Sequence, residues 1–268
     1  MTGDEGVQPF WLIGAGNMGG AMLRGWIDSG IAPDTFLVID PALPPVPEGV
    51  ARASEAPAGQ PRTILLAIKP QLLGTAAPGL ADHVGPATVI LSILAGVEAA
   101  TLRAAFPSAQ RIIRVMPNTP AAIRKGVLAL HGEASDDVTE MMARLGTVEW
   151  IADEALFDAV TALSGSGPAF LYRVIDALAA GGAALGLPPA QALRLATATV
   201  EGAALLAAGS SEPPQRLADR VASPGGSTRA GLDVLDADAA LTRLMADTLA
   251  AATRRNAELA AAARTPSD

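Results

Sequence analysis

The residues near the start of the chain that could do chemistry form a glycine-rich turn. Residues 14–19 have the spacing GxGxxG, follow the apolar run Phe10–Ile13 directly, and precede a segment with helical apolar spacing. The first glycine permits a tight turn, the second lets the backbone approach a pyrophosphate, and the third allows close packing of a helix on a strand. The helix N-terminus adds free N–H groups. This turn predicts a dinucleotide site with contacts from Ile13, Gly14, Ala15, Gly16, Asn17, Met18 and Gly19.

A single carboxylate follows the next apolar run. Asp40 stands 21 positions after Gly19, where an acidic side chain can bind both hydroxyls of an adenine ribose. Its charge would oppose the extra 2′-phosphate of NADPH, and no Arg or Lys occurs between Asp40 and Arg52 to neutralise it. Asp40 therefore favours NADH, although an Asp-Pro pair could also simply begin a turn.

Two loops in the second half of the chain could hold an anion. Ser223–Thr228 reads Ser-Pro-Gly-Gly-Ser-Thr and precedes a helical pattern, so its N–H groups and hydroxyls suit a carboxylate. Ser164–Pro168 also precedes a helical pattern. For the first loop, simple capping of the following helix is an equally good explanation. For the second loop, the alternative is a helix cap at a domain junction.

The first 150 residues alternate apolar runs with helical segments. The runs are rich in Val, Ile and Leu without polar alternation, which is typical of strands buried on both faces of a parallel sheet. The predicted strands are Phe10–Ile13, Phe36–Ile39, Thr63–Ile68, Thr88–Ile93, Arg111–Met116 and Val127–Leu130. The predicted helices are Met18–Ser29, Gln71–His83, Val97–Phe106 and Asp136–Leu145. This alternation predicts a doubly wound parallel sheet.

The chain changes character after about Phe157. The remaining residues are rich in Ala, Leu, Arg and Glu, show no convincing strand, and are divided by Gly- and Pro-containing breaks into four or five helices. Their apolar stripes suggest burial against a second subunit, with a monomeric helical cap as the alternative. The predicted fold class is an α/β Rossmann-type dinucleotide-binding domain in residues 1–155, followed by an all-α dimerisation domain in residues 156–268.

Composition narrows the class of protein. The chain has 268 residues, 50% of them hydrophobic, a formal net charge of −8 and no cysteine. Its scattered positive charges argue against nucleic-acid binding, and no stretch reaches the roughly 18 uncharged apolar residues of a membrane span. The acidic start lacks the pattern of a secretion signal, so a cytoplasmic location is expected. His83 and His131 stand far apart without close carboxylate pairs, so no metal site is expected.

Motifs in order along nearly the whole chain resemble the pyrroline-5-carboxylate reductase family. They are Ile13–Gly19, Ala67–Gln71, Ser92–Gly96, Arg114–Pro120, Leu163–Ala169 and Val221–Thr228. The first is shared by many dehydrogenases, whereas the last two together are specific to this family. The resemblance implies an oxidoreductase that transfers a hydride from NADPH or NADH to the imine of L-1-pyrroline-5-carboxylate, giving L-proline. It also implies a homodimer or a ring of dimers.

The resemblance assigns roles to several residues. It implies that Thr228 bonds the substrate, with delivery of a proton to the ring nitrogen as a further role, within a loop that holds the substrate carboxylate. The implied substrate contacts are Ser223, Gly225, Gly226, Ser227 and Thr228. The further cofactor contacts, at the ends of predicted strands, are Ala67, Ile68, Lys69, Pro70, Ala95, Gly96, Met116, Pro117 and Asn118. Glu212 matches an acidic residue of the family's substrate region, but could equally be a solvated loop carboxylate.

The sequence departs from the family pattern at two places and leaves rival functions open. The segment after Asp40 is Pro-rich rather than polar or basic, which puts the family's frequent use of NADPH in doubt here, and Phe170 replaces a common tyrosine. A β-hydroxyacid dehydrogenase would want a general base, typically a lysine, but no lysine lies between Pro168 and Leu185. An imine reductase for another substrate, or a dinucleotide-binding protein without catalysis, is a further alternative. The last would have no reason to keep two anion loops.

Overall fold

The computed structural model describes residues 10–264. These residues form two compact units, with residues 10–166 and 252–264 in the first and residues 167–251 in the second. The predicted boundary between residues 155 and 156 therefore differs from the division of the structure. The chain returns to the first unit at its end.

The first unit is built on one eight-stranded sheet. The strands are β1 (Phe10–Ile13), β2 (Phe36–Ile39), β3 (Ala51–Ala53), β4 (Thr63–Leu66), β5 (Val89–Ser92), β6 (Arg111–Met116), β7 (Gly126–Gly132) and β8 (Gly146–Trp150). Their order is β3-β2-β1-β4-β5-β6-β7-β8, and β1 to β6 are all parallel. The first six positions have the 3-2-1-4-5-6 order of dinucleotide-binding folds. The predicted doubly wound sheet is confirmed.

One predicted strand has the wrong direction. The segment Val127–Leu130 lies within β7, which runs antiparallel to β6. The connection is short, residues 117–125, and contains a single 3₁₀ turn over Thr119–Ile123, followed by Arg124 in the left-handed region at φ 59°. A parallel neighbour would need a crossover of about a dozen residues or more, so this connection returns the chain along β6 instead.

Two strands, β3 and β8, were not predicted from the sequence. β3 has only three residues, none of them fully buried. β8 alternates half-buried and exposed residues along Gly146–Trp150, because it is the outer strand of the sheet. Neither strand has the continuous apolar run by which the others were recognised.

Apolar side chains fill both faces of the sheet. Along β1, Phe10 and Leu12 belong to one buried cluster, and Trp11 and Ile13 belong to the other. Helices cover both clusters: α1 (Asn17–Asp28) and α4 (Asp136–Ala143) on one face, α2 (Leu73–Ala81) and α3 (Ala99–Ala105) on the other. Burial on both faces explains why these strands are continuously apolar.

The rest of the described chain is helical, as predicted. After β8 come α5 (Phe157–Val160), a π-helical segment (Thr161–Gly165), α6 (Gly167–Ala184), α7 (Pro189–Ala208), α8 (Pro214–Val221), α9 (Ser227–Asp236) and α10 (Ala240–Arg264). In the second unit α6 and α7 pack through small residues, Ala179, Ala192 and Ala196. Most large apolar side chains of this unit are exposed. Between residues 10 and 264, no helix is both long and apolar enough to cross a membrane.

A partly buried ion pair joins several elements of the first unit. Arg114, on β6, donates to Glu154 Oε1 at 2.7 Å and stacks over the Phe157 ring at 4.5 Å. The same carboxylate oxygen accepts from the Ala99 N–H at 2.7 Å, at the start of α3. Burial raises the pKa of Glu154, but the hydrogen bonds from Ala99 and Arg114 outweigh it, so the pKa lies below its ordinary value. The pair therefore stabilises the fold.

We predict that Glu154→Gln lowers the free energy of unfolding by about 1.5 to 3 kcal/mol at pH 7, because it removes a charged hydrogen-bond acceptor. The depressed pKa gives stabilisation that is present above the ordinary Glu value, about 4.3, and lost as the pH falls through the lower folded-state value. The difference from wild type should therefore shrink below about pH 4. Urea unfolding across pH measures it.

Glu133→Gln is the matched control, since Glu133 faces Arg111 at 3.8 Å with its side chain 74% exposed. Its effect should stay below about 1 kcal/mol. Equal effects of the two variants at pH 7 would contradict the role assigned to Glu154.

Candidate functional site

The glycine-rich turn leaves β1 at the centre of the sheet, between β2 and β4. Gly14 has φ 88°, and a Cβ there would lie 2.9 Å from the Ala67 carbonyl oxygen. A Cβ at Gly19 would lie 2.6 Å from the Gly14 carbonyl oxygen. Both positions therefore exclude a side chain, as the motif predicted. At Gly16 a Cβ would meet nothing within 4 Å, so the space beside this residue is open to a ligand.

The start of α1 offers unpaired N–H groups to that open space. Gly16 is the N-cap residue, no side chain caps the helix, and no acidic residue occupies its first turn. Gly16 and Asn17 are exposed. The amides of a first turn have no partners inside their own helix, and the helix dipole favours an anion there. The turn and helix fit a dinucleotide pyrophosphate, which they would hold through backbone N–H groups.

Asp40 lies directly beside this turn. Its Oδ2 accepts from the Ala15 N–H at 3.0 Å, and its Oδ1 accepts from the Ala42 N–H at 2.9 Å. The carboxylate thus begins a turn, as one of the two sequence interpretations has it, and it also contacts the glycine-rich motif. Its hydrogen bond to a ribose stays a prediction.

The sequence analysis missed a cation near Asp40. Arg52, on β3, donates through Nη1 to the carbonyl oxygens of Leu43 at 2.9 Å and Pro44 at 3.2 Å. Its guanidinium therefore clamps the Pro-rich loop that follows β2. Recognising β3 as a strand paired with β2 would have placed Arg52 opposite Val38, next to the end of the strand that leads to Asp40.

The remaining predicted cofactor residues follow the carboxyl ends of parallel strands. Ala67, Ile68, Lys69 and Pro70 follow β4, Ala95 and Gly96 come soon after β5, and Met116, Pro117 and Asn118 lie at the end of β6. Because these strands are parallel, their ends meet at the edge of the sheet from which the glycine-rich turn emerges. Lys69 is exposed there. The structure thus brings the predicted residues to one edge, while their contacts with a cofactor stay predictions.

Gly96 has a structural partner as well. It adopts φ 74°, and a Cβ there would lie 2.9 Å from the Cα of Ala260, on α10. Ala260 is buried. A cavity of about 300 Å³ adjoins this contact and is also lined by Arg114 and Glu154. The close approach of α10 is therefore sufficient to require a glycine at position 96.

The predicted substrate loop lies in the second unit. Ser223–Gly226 forms a turn in which the Gly226 N–H donates to the Ser223 carbonyl oxygen at 2.9 Å. α9 begins at Ser227, its N-cap residue is Gly226, and no side chain caps it. Ser223, Ser227 and Thr228 are exposed. Capping by a hydroxyl is therefore not what these residues do, and the first amides of α9 are available to an anion.

Ion pairs brace both sides of this loop. Arg229 donates to Asp219 Oδ1 at 2.8 Å, and this hydrogen bond raises the pKa of Arg229. Arg220 donates to Glu212 Oε2 at 2.7 Å. Glu212 is therefore paired with Arg220 rather than solvated alone. In the part of the chain that the structure describes, no three His, Cys, Asp or Glu side chains gather in a way that could hold a metal ion.

Comparison with known proteins identifies the family. Residues 154–259 match the model for pyrroline-5-carboxylate reductase dimerisation. The chain is 35% identical to the pyrroline-5-carboxylate reductase of Pisum sativum, over 92% of this chain and 94% of that protein. It is 33% identical to the Pseudomonas aeruginosa enzyme, over 93% and 96%.

Solved structures agree with these relatives. The pyrroline-5-carboxylate reductase of Coxiella burnetii matches with a TM-score of 0.85 at 28% identity, over 95% of this chain and 99% of that one. The Plasmodium falciparum pyrroline carboxylate reductase, solved with NADP bound, shares the fold with a TM-score of 0.78 at 24% identity, over 94% and 98%. The chain belongs to the pyrroline-5-carboxylate reductase family.

Proposed function

We propose that this chain is an NAD(P)H-dependent oxidoreductase that reduces L-1-pyrroline-5-carboxylate to L-proline, the last step of proline biosynthesis. The observation that carries the proposal is a pair of uncapped helix N-termini, each preceded by a glycine-containing turn: α1 after Gly16, and α9 after Gly226. One suits a pyrophosphate and the other a carboxylate. Family membership supplies the substrate that carries that carboxylate.

Reduction of the imine needs few catalytic side chains. The reduced dinucleotide, when bound, supplies a hydride from C4 of its nicotinamide to C5 of the imine, and the C=N electron pair passes to the ring nitrogen. The first amides of α9 and the hydroxyl of Ser227 hold the carboxylate. Thr228 orients the ring and can donate a proton at its nitrogen. This division of work needs no histidine, cysteine or metal, which suits a chain with two histidines and no cysteine.

Self-association is part of the proposal. In the second unit several large apolar side chains are more than half exposed: Leu171, Tyr172, Leu178, Leu185, Leu195, Leu205, Leu206, Val221, Val234 and Leu244. Exposed apolar surface on this scale marks an interface, and this region matches a model named for dimerisation. We infer a homodimer, which could also assemble into a ring of dimers.

The preference for NADH or NADPH depends on the charges around Asp40. Its negative charge disfavours a 2′-phosphate, whereas Arg52 places a positive charge on the adjoining loop. The carboxylate contacts the glycine-rich turn directly, while the guanidinium is occupied by two carbonyl oxygens. We therefore propose a preference for NADH. The cytoplasmic location stays a prediction.

An assay of the purified protein tests the proposed function. Oxidation of NADH or NADPH should follow addition of L-1-pyrroline-5-carboxylate and should persist with a chelator present. Activity that vanished with the chelator and returned with zinc would contradict the metal-free mechanism. Faster turnover of a β-hydroxyacid, or of an imine without a carboxylate, would refute the assigned substrate.

We predict that Thr228→Ala lowers kcat/KM for the imine by about 10-fold to 150-fold, because a hydrogen bond to a charged group contributes roughly 1.5 to 3 kcal/mol. Binding of the dinucleotide alone should barely change. Thr248→Ala is the control, since Thr248 donates only to the Leu244 carbonyl of its own helix. A loss confined to dinucleotide affinity, or a collapse of thermal stability, would place the substrate site elsewhere.

We also predict that Asp40→Asn lowers KM for NADPH by about 10-fold, equivalent to about 1.4 kcal/mol, because it removes the charge near the 2′-phosphate. The amide keeps one acceptor oxygen, which can serve the Ala15 N–H, so the contact with the glycine-rich turn should persist while the Ala42 N–H loses its acceptor. Asp34→Asn, a change of equal charge at an exposed site, should leave both KM values unchanged. A wild-type KM for NADPH far below that for NADH would show that Asp40 has been misinterpreted.

A further inference from the structure

The side chain of Asn118 is buried and bonded at both ends. It is 6% exposed. Its Nδ2 donates to the Ser164 carbonyl oxygen at 3.0 Å, and its Oδ1 accepts from the Val127 N–H at 2.9 Å. One amide thus ties the loop after β6 to the start of β7 and to the π-helical segment Thr161–Gly165.

The Ser164 carbonyl cannot receive the usual α-helical hydrogen bond. In an α-helix this oxygen would accept from the N–H four residues later, but residue 168 is proline, which has none. The segment is π-helical, and the Ser166 N–H donates to the Thr161 carbonyl oxygen at 2.9 Å. A partly buried carbonyl without a donor lowers stability. Asn118 supplies the donor that Pro168 cannot.

The same segment lies against Met116. A Cβ at Gly165 would stand 3.7 Å from Met116 Sδ. Met116 is 9% exposed and packs with Ala129 and Phe157. The segment therefore runs close beside Met116, within reach of a side chain placed at position 165. π-Helical turns inside helices are frequent at functional sites.

We propose that Asn118 is a positioning residue of the reductase, whose amide fixes the Thr161–Gly165 segment beside Met116 and thereby helps to hold Met116, a predicted cofactor contact at the end of β6. The inference rests on the proposed function. Asn118 acts through Met116, because both polar groups of its own side chain are occupied by the backbone. Small displacements of a cofactor contact matter, since misplacing reacting groups by about 1 Å can cost on the order of 100-fold in rate.

Asn118→Asp isolates the hydrogen bond to Ser164. The variant keeps the size of the side chain and an acceptor for the Val127 N–H, but replaces the donor by an oxygen. An ionised carboxylate there has no donor and repels the Ser164 carbonyl. Asn256→Asp is the matched control, because Asn256 Nδ2 also donates to a backbone carbonyl, that of Asp158, at 3.2 Å.

We expect kcat of Asn118→Asp to fall about 10-fold to 100-fold at pH 8, with both KM values within about threefold of wild type. The deuterium isotope effect on kcat with C4-labelled NADH should rise, because hydride transfer becomes slower. Amide hydrogen exchange in residues 161–166 should accelerate in the protein without cofactor. Asn256→Asp should show none of these changes.

A kcat and an amide exchange rate equal to those of wild type in Asn118→Asp would overturn the proposal. An effect confined to a higher KM for the dinucleotide would also overturn it, because it would indicate that Asn118 contacts the dinucleotide directly. If the variant fails to fold, Gly165→Val directs a side chain at Met116 without removing a hydrogen bond, and it must also lower kcat. Wild-type kcat there would equally refute the proposal. If the wild-type protein does not reduce the imine, the proposed function fails. The amide exchange measurement then still tests whether Asn118 holds the segment that contains Ser164.

Discussion

The first unit depends on a close contact between the turn after β1 and the end of β4. The Gly14 backbone lies so near the Ala67 carbonyl that a Cβ would stand 2.9 Å from its oxygen, and Gly19 lies still nearer the Gly14 carbonyl. Side chains at either position would push α1 away from the sheet. α1 carries Met22 and Trp26 into the buried cluster on that face. The glycines that leave room for a pyrophosphate therefore also let α1 pack against the sheet. Dinucleotide binding and core packing therefore require the same thing, the absence of side chains at positions 14 and 19.

The protein handles anions without concentrated positive charge. It has a net charge of −8, yet its proposed ligands are a dinucleotide and a carboxylate. The groups offered to them are backbone amides at the starts of α1 and α9, whose partial charges are fixed in direction by the helix. Such groups carry no net charge and cannot titrate, so their own attraction for an anion does not change with pH. The arginines that flank the substrate loop are paired with carboxylates instead.

Sequence patterns predicted the parts of the fold that depend on local spacing. The GxGxxG turn, the parallel strands β1, β2, β4, β5 and β6, and the helical second half follow from periodicity and glycine geometry, and the structure confirms them. The direction of β7 depends on the length of its connection, and β8 is an outer strand with an alternating pattern, so apolar runs could not reveal either. The bond of Asn118 to Ser164 joins residues that are distant in sequence, and the clamp by Arg52 depends on β3, which no apolar run revealed. No local pattern encodes such partners, and they emerge only when the sheet brings the segments together.

The contact between Gly96 and Ala260 has a consequence for how the protein is made. Gly96 belongs to the loop after β5, while Ala260 lies near the end of α10, in the part of that helix that belongs to the first unit. During synthesis on a ribosome, the whole of the sheet emerges long before the residues that cover this loop. One face of this loop therefore stays uncovered until α10 has been synthesised. A chain cut short before α10 would carry all eight described strands and still leave this surface exposed.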